Sequence, residues 1–120
     1  MNETIAQLLF PLGVTANYTG YYYTIYAVEL VASDPSHLAS VTKDLYPAVA
    51  RQFSSTNSRV ERNIRHTAGL AWKTNPGLLQ KMAGHPMYHR PCASQFIAIL
   101  VSEYKKLLGR DDSGDQQSFF

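Results

Sequence analysis

Apolar residues recur with a helical period along almost the whole chain. In the first segment an i, i+3, i+4, i+7 spacing links Ile5, Leu8, Leu9 and Leu12, which is typical of a short amphipathic helix. Gly13 is suited to end that helix, because glycine adopts the left-handed cap conformation without strain. The helical period resumes at Gly20 and continues to Ser33. We therefore predict a second helix there, although the tyrosine-rich run 21–26 has strand propensity.

Turn residues divide the rest of the chain into further helices. Asp34 and Pro35 end the second helix, and Ser36 is a predicted cap for the next, whose inner face would carry Leu38, Val41, Thr42 and Leu45. Helices are then predicted at 47–53, about 57–73, 78–83 and 96–107. The predicted fold class is all-α: a compact bundle of about six helices over residues 1–108, followed by a flexible polar tail at 109–120.

Residues 46–72, YPAVARQFSSTNSRVERNIRHTAGLAW, have the spacing of a helix-turn-helix. The small Ala50 would let a second helix cross closely over the first, and Val60 would then pack back against it. The turn position that is most often glycine is occupied by Ser54, which is permitted but less favourable.

A helical wheel of the second helix separates two faces. The predicted buried stripe contains Val60, Ile64, Thr67, Ala68 and Ala71. The opposite face carries Ser58, Arg59, Arg62, Arg65, His66, Gly69 and Lys73, with Glu61 at its edge. Such a helix fits the major groove, where arginine pairs with guanine and glutamate accepts from cytosine. Cations further along it, such as Lys73, would meet phosphates. The alternative is a basic face that is merely solvated.

The charge distribution favours a polyanionic partner. The net charge of +2 conceals eight Lys and Arg against two acidic residues within 43–90, whereas residues 1–42 contain three acidic residues and no Lys or Arg. A basic centre between acidic or neutral flanks is expected when one surface faces nucleic acid.

Composition excludes several other classes. The 120 residues suit one domain, and the single Cys92 excludes an internal disulfide or a multi-cysteine zinc site. We find no membrane-spanning run and no signal peptide, so a cytoplasmic, nucleoid-associated protein is expected. No nucleophile–base signature predicts an enzyme, and no phosphate-binding motif predicts a nucleotide cofactor. His85, His89 and Cys92 fall short of a metal ligand set, so no cofactor or metal is expected.

The motif SRVERNIRHTAGLAW, preceded by LYPAVARQF, resembles the C-terminal effector domain of the stage-zero sporulation regulator A family. The resemblance continues in GYYYTIYAVEL, HLASVTKDLYP and RPCASQFIAIL, and covers roughly residues 5–108. It implies a sequence-specific regulator of sporulation transcription that binds double-stranded DNA. The target would be a short box of the TGNCGAA type, often in tandem copies on which two domains pair. Members of the family activate or repress transcription.

The resemblance also implies roles for individual residues. Ser58, Arg59, Glu61 and Arg62 would contact bases or the groove, and Arg65 and His66 would contact the DNA backbone. A surface for the RNA polymerase sigma factor would lie at about Trp72–Tyr88, where the chain departs most from the family pattern. The family's receiver domain has no counterpart before Ile5, so an excised effector domain and a receiver-less relative both stay open.

Two alternatives to this interpretation remain. The chain could be a helical adaptor that contacts RNA polymerase or a regulator without DNA specificity of its own. The final helix, with Phe96, Ile99, Leu100 and Tyr104, could form a permanent dimer surface, although burial of these residues in the domain's own core is the favoured expectation.

Overall fold

The computed structural model describes the backbone of residues 2–117 and the side chains of residues 2–109. Within residues 2–117 the chain forms six α-helices and no strand. They are α1 (Glu3–Leu9), α2 (Thr19–Ser33), α3 (Tyr46–Gln52), α4 (Asn57–Thr74), α5 (Pro76–Ala83) and α6 (Ala93–Gln117). The prediction of an all-α bundle is therefore confirmed.

The N-terminal helices begin and end at residues whose chemistry explains the boundary. Asn2 caps α1 by accepting a hydrogen bond from the Ile5 amide (3.2 Å), and the helix continues as a 3₁₀ turn over Phe10–Leu12. Gly13 then takes a left-handed conformation (φ +80°), as predicted. The tyrosine-rich segment 21–26 is helical. Two sides of α2 are buried, because neighbouring elements pack against both of them.

The segment before α3 differs from the prediction. A 3₁₀ helix over Pro35–Ser40 and a π-helical turn over Val41–Leu45 replace the expected α-helix. Asp34, not Ser36, is the cap, since its carboxylate accepts from the Ser36 amide and hydroxyl. Because the period changes twice here, Thr42 is exposed and does not lie on an inner face.

Asn75 joins two helices. Its amide N–H closes the last turn of α4 onto the Ala71 carbonyl (2.9 Å), and its side chain caps α5 by accepting from the Leu78 amide (3.2 Å). No flexible linker therefore separates α4 from α5, and α5 ends at Gly84 in a left-handed conformation (φ +82°).

The core is built around the N-terminal half of α6. Phe96 and Leu100 are fully buried and Ile99 nearly so, so these residues pack inside the domain as expected. Tyr104 is partly buried and accepts a hydrogen bond from the Asn2 side chain (2.8 Å), which ties α6 to α1. The backbone of α6 stays helical to Gln117, beyond the predicted end of this helix at 107. Residues 118–120 of the predicted tail lie outside the described residues, and its flexibility stays a prediction.

Candidate nucleic-acid interface

Helices α3 and α4 form the predicted pair, joined by residues 53–56. Ala50 and Val60 are both buried between them. Ser54 holds a left-handed conformation (φ +53°), the sole non-glycine residue to do so in the described chain. The Ser55 amide then donates to the Ala50 carbonyl (2.8 Å), which satisfies an end carbonyl of α3. The sharp turn is therefore present, and serine occupies the place that suits glycine.

The start of α4 is fixed by Thr56. Its hydroxyl accepts a hydrogen bond from the Arg59 amide (3.2 Å), satisfying one of the unpaired donors of the first turn. One turn further on, the Asn63 side chain donates to the Arg59 carbonyl (2.8 Å). Residues 57–60 are thereby held as regular helix at the end of α4 that would enter a groove first.

The two faces of α4 lie where the wheel placed them. The stripe Val60, Ile64, Thr67, Ala68 and Ala71 is buried. Of the predicted DNA-binding residues, Ser58, Arg59, Arg62, His66 and Lys73 are exposed, and Glu61 and Arg65 are half-buried on the same side. The structure thus brings all seven together on one surface of one helix.

Gly20 allows the close approach of α2 to α4. A Cβ atom at this position would clash with the Thr67 hydroxyl and would stand 2.6 Å from the Asn63 carbonyl oxygen. The Thr67 hydroxyl is itself turned back onto that carbonyl (2.8 Å). The sequence pattern indicated Gly20 only as a helix start, because a close approach between distant segments leaves no local signal.

The exposed face of α4 borders a groove of about 410 Å³. Thr42 and Tyr46 form one side of it, and the other is formed by Asn57, Ser58, Glu61, Arg62 and Arg65. Neither Thr42 nor Tyr46 was predicted from the sequence as part of a groove. Thr42 lies in a π-helical turn that interrupts the helical period, and Tyr46, the first residue of α3, meets α4 only in the folded domain. Burial, reinforced by the nearby Glu61 carboxylate, raises the pKa of Tyr46 to about 12, so its hydroxyl is neutral at physiological pH.

Glu61 and Arg65 form an ion pair along the helix, with Arg65 Nε 3.6 Å from Glu61 Oε2. Both side chains are partly exposed to solvent, so the pair adds little to stability. The pair restrains the single carboxylate on a face that otherwise carries positive charge.

One more arginine, which does not belong to α4, lies on the exposed face of α4. The Arg90 guanidinium covers Gly69, with its Nη1 atom 3.0 Å from the place of a Cβ. Arg90 belongs to the loop before α6 and was not among the predicted residues. Its position could not be predicted, because Arg90 is distant from Gly69 in the sequence. The glycine within a charged helix face was the one signal that a side chain from another segment covers this place.

The histidines of the preceding loop contact backbone. The His85 Nδ1 atom lies 2.9 Å from the Pro86 carbonyl oxygen, and the His89 Nδ1 atom lies 3.1 Å from that of Arg90. The Cys92 thiol faces the Ser94 hydroxyl at 3.5 Å, a contact that lowers the pKa of Cys92. Among the described side chains no three His, Cys, Asp or Glu residues converge as metal ligands.

No helix within the described part of the chain has the length and apolar character needed to cross a bilayer. A protein-family model, described as Sporulation initiation factor Spo0A C terminal, matches residues 5–104. The match includes all of α2 to α5 and the seven predicted DNA-binding residues.

Proposed function

The chain belongs to the Spo0A C-terminal family of sporulation DNA-binding effector domains, and on that basis we propose that α4 reads a short DNA box in the major groove. The box would be of the TGNCGAA type. This family is a transcription-factor family, not an enzyme family.

The observation that supports this proposal is the division of α4 into a buried stripe and an exposed polar face. The stripe anchors the helix in the core, so the opposite face projects as a unit from the bundle. That face combines cationic donors, which suit guanine and phosphate, with one carboxylate, Glu61, which can accept from cytosine. Ser58, Arg59, Glu61 and Arg62 occupy the first two turns, where recognition helices contact base edges.

Roles within α4 follow from position along the helix. Arg62 lies near the centre of the exposed face, and we assign it to a base edge. Arg65, His66 and Lys73 lie further along, and we assign them to phosphates that set register without reading sequence. Thr42 and Tyr46 would border the DNA backbone across the groove.

Arg62→Ala tests base reading. Binding to a box-containing duplex should weaken by about 1–3 kcal/mol, whereas binding to a scrambled duplex should change much less. Lys105→Ala, at an exposed residue of α6, is the matched control for loss of one charge. Equal losses of Arg62→Ala on both duplexes would reassign Arg62 to a phosphate. A wild-type protein that does not distinguish box from scrambled DNA would favour the adaptor function instead.

We also propose that the segment Trp72–Tyr88 contacts the RNA polymerase sigma factor when the domain activates transcription. The supporting observation is Tyr88, whose side chain is 91% exposed and lies in a loop outside the helices. Tyr88→Ala should retain box binding and lose activation in a reconstituted transcription assay. Unchanged activation would remove Tyr88 from this surface.

A further inference from the structure

One row of residues along the exposed face of α4 has a gap. Arg62, His66, Gly69 and Lys73 follow one another at helical spacing on the same side. Three of them are cationic or can become so, and Gly69 has no side chain. The fold fills that gap with Arg90, whose Nη1 and Cδ atoms stand 3.0 and 3.7 Å from the place of a Cβ on Gly69.

The loop holds Arg90 in this position. Pro91 is buried, and a proline disfavours helical backbone in the residue before it, which restricts the backbone of Arg90. The other end of the loop is fixed by the Met87 amide, which donates to the Gln80 side chain (2.8 Å). The short gap over a glycine lets the arginine stem lie flat on α4, whereas any larger residue at 69 would displace it.

Arg90 is not used within the domain. It is exposed, and among the described side chains it forms no ion pair; the one ion pair there joins Arg65 to Glu61. A guanidinium that lies on a cationic surface, without a carboxylate partner among the described side chains, is suited to bind an external anion.

Building on the proposed function, we propose that Arg90 contacts a phosphate of the DNA backbone, as an added cation at the far edge of the groove that α4 occupies. Gly69 lies about 10 Å along the helix from Arg62, at the helical rise of about 1.5 Å per residue. Because the major groove is about 12 Å wide, a group that far from the base-reading arginine reaches the phosphates that border it. The contact would therefore set affinity and register, not sequence preference.

The test measures the salt dependence of binding to a box duplex and to a scrambled duplex of the same length. For wild type, log affinity should fall linearly with log salt. Arg90→Gln should make that slope shallower by about 0.9 on both duplexes, with the ratio of box to scrambled affinity unchanged. Arg90→Lys should keep the wild-type slope. Arg90 is exposed in a loop, and equal melting temperatures will verify that the variants fold.

Lys105→Gln is the control for net charge, because Lys105 is an exposed lysine of α6 and does not line the groove beside α4. It should leave the slope unchanged. A wild-type slope for Arg90→Gln, an equal change for Lys105→Gln, or loss of box preference in Arg90→Gln would each overturn this assignment while leaving the proposed function standing. A wild-type protein that binds neither duplex would overturn both.

Discussion

Ser54 occupies a left-handed backbone conformation (φ +53°) in the turn between α3 and α4. For a residue with a Cβ this conformation costs roughly 1 kcal/mol, whereas glycine adopts it freely. We therefore predict that Ser54→Gly raises the free energy of unfolding by up to about 1 kcal/mol, measured by urea denaturation.

The neighbouring serine provides the control for that prediction. Ser55 has a negative φ, since Ser54 is the sole non-glycine residue with positive φ in the described chain. Ser55→Gly should therefore bring no gain, and it adds backbone freedom to the unfolded chain. Stabilisation of both variants by the same amount would argue against strain at Ser54.

Tyr46 gives the stability a pH dependence in the alkaline range. Its pKa is raised to about 12 by burial and then by Glu61, whereas an unfolded chain has a value near 10. The folded state therefore favours the neutral hydroxyl, and its contribution is complete below pH 10 and lost as pH rises to 12. Wild type should therefore lose stability more steeply than Tyr46→Phe over that range, as measured by urea denaturation at each pH. Parallel curves for the two proteins would contradict this.

At the residue scale, the sequence predicted the exposure of the α4 side chains because a single regular helix fixes their angles. It did not predict Thr42, Tyr46 or Arg90 beside them. Thr42 depends on a change of helical period, and Tyr46 and Arg90 depend on contacts between separate segments, which for Arg90 and Gly69 lie twenty-one residues apart. Neither a change of helical period nor a contact between separate segments can be detected within a short window of sequence.

The contact between α2 and α4 depends on the absence of a side chain at residue 20. In Gly20→Ala the new Cβ would stand 2.6 Å from the Asn63 carbonyl oxygen, and because that oxygen belongs to the backbone, α4 must shift. We predict a loss of about 1–3 kcal/mol in the free energy of unfolding, as for other overpacked cores. Thermal unfolding followed by circular dichroism will measure it.

Gly77→Ala is the matched control, because Gly77 lies in α5 and no atom stands within 4 Å of the place that its Cβ would take. This variant should be neutral or stabilised, by up to about 1 kcal/mol from helix propensity. Should both glycine variants gain stability, the close approach of α2 and α4 would not be tight.

Among the elements, those with strong local signals were predicted and those shaped by packing were not. The helical spacing of apolar residues in α4, together with the turn residues on either side, predicted its bounds to within about one residue. Residues 35–45 have the same apolar spacing as an α-helix but fold as 3₁₀ and π turns. Their geometry is determined by the positions of the end of α2 and the start of α3. The spacing of apolar residues does not predict those positions.

At the scale of the whole molecule, the apolar residues of the last helix pack inside the domain. Phe96, Ile97 and Leu100 are fully buried in the domain's own core, so they form no exposed dimer surface. We predict that the free protein is a monomer by light scattering, and that it pairs only on DNA.

Pairing on DNA should appear as a difference between one box and two. A single recognition helix offers a small interface and modest affinity, whereas adjacent boxes raise the effective concentration of one domain for the other. A duplex with tandem boxes should therefore bind more tightly per site than a duplex with one. A stable dimer without DNA, or equal affinity for both duplexes, would contradict this prediction.

The separation of the two faces of α4 has a consequence for redesign. No side chain of the buried stripe is also among the exposed residues, so folding and the proposed DNA reading depend on different positions of the same helix. A library that randomises Ser58, Glu61 and Arg62 would leave the core intact, and nearly every clone should fold. Selection for binding to new duplexes would then change the preferred DNA sequence alone. This small domain is therefore a practical scaffold for regulators that bind new promoters.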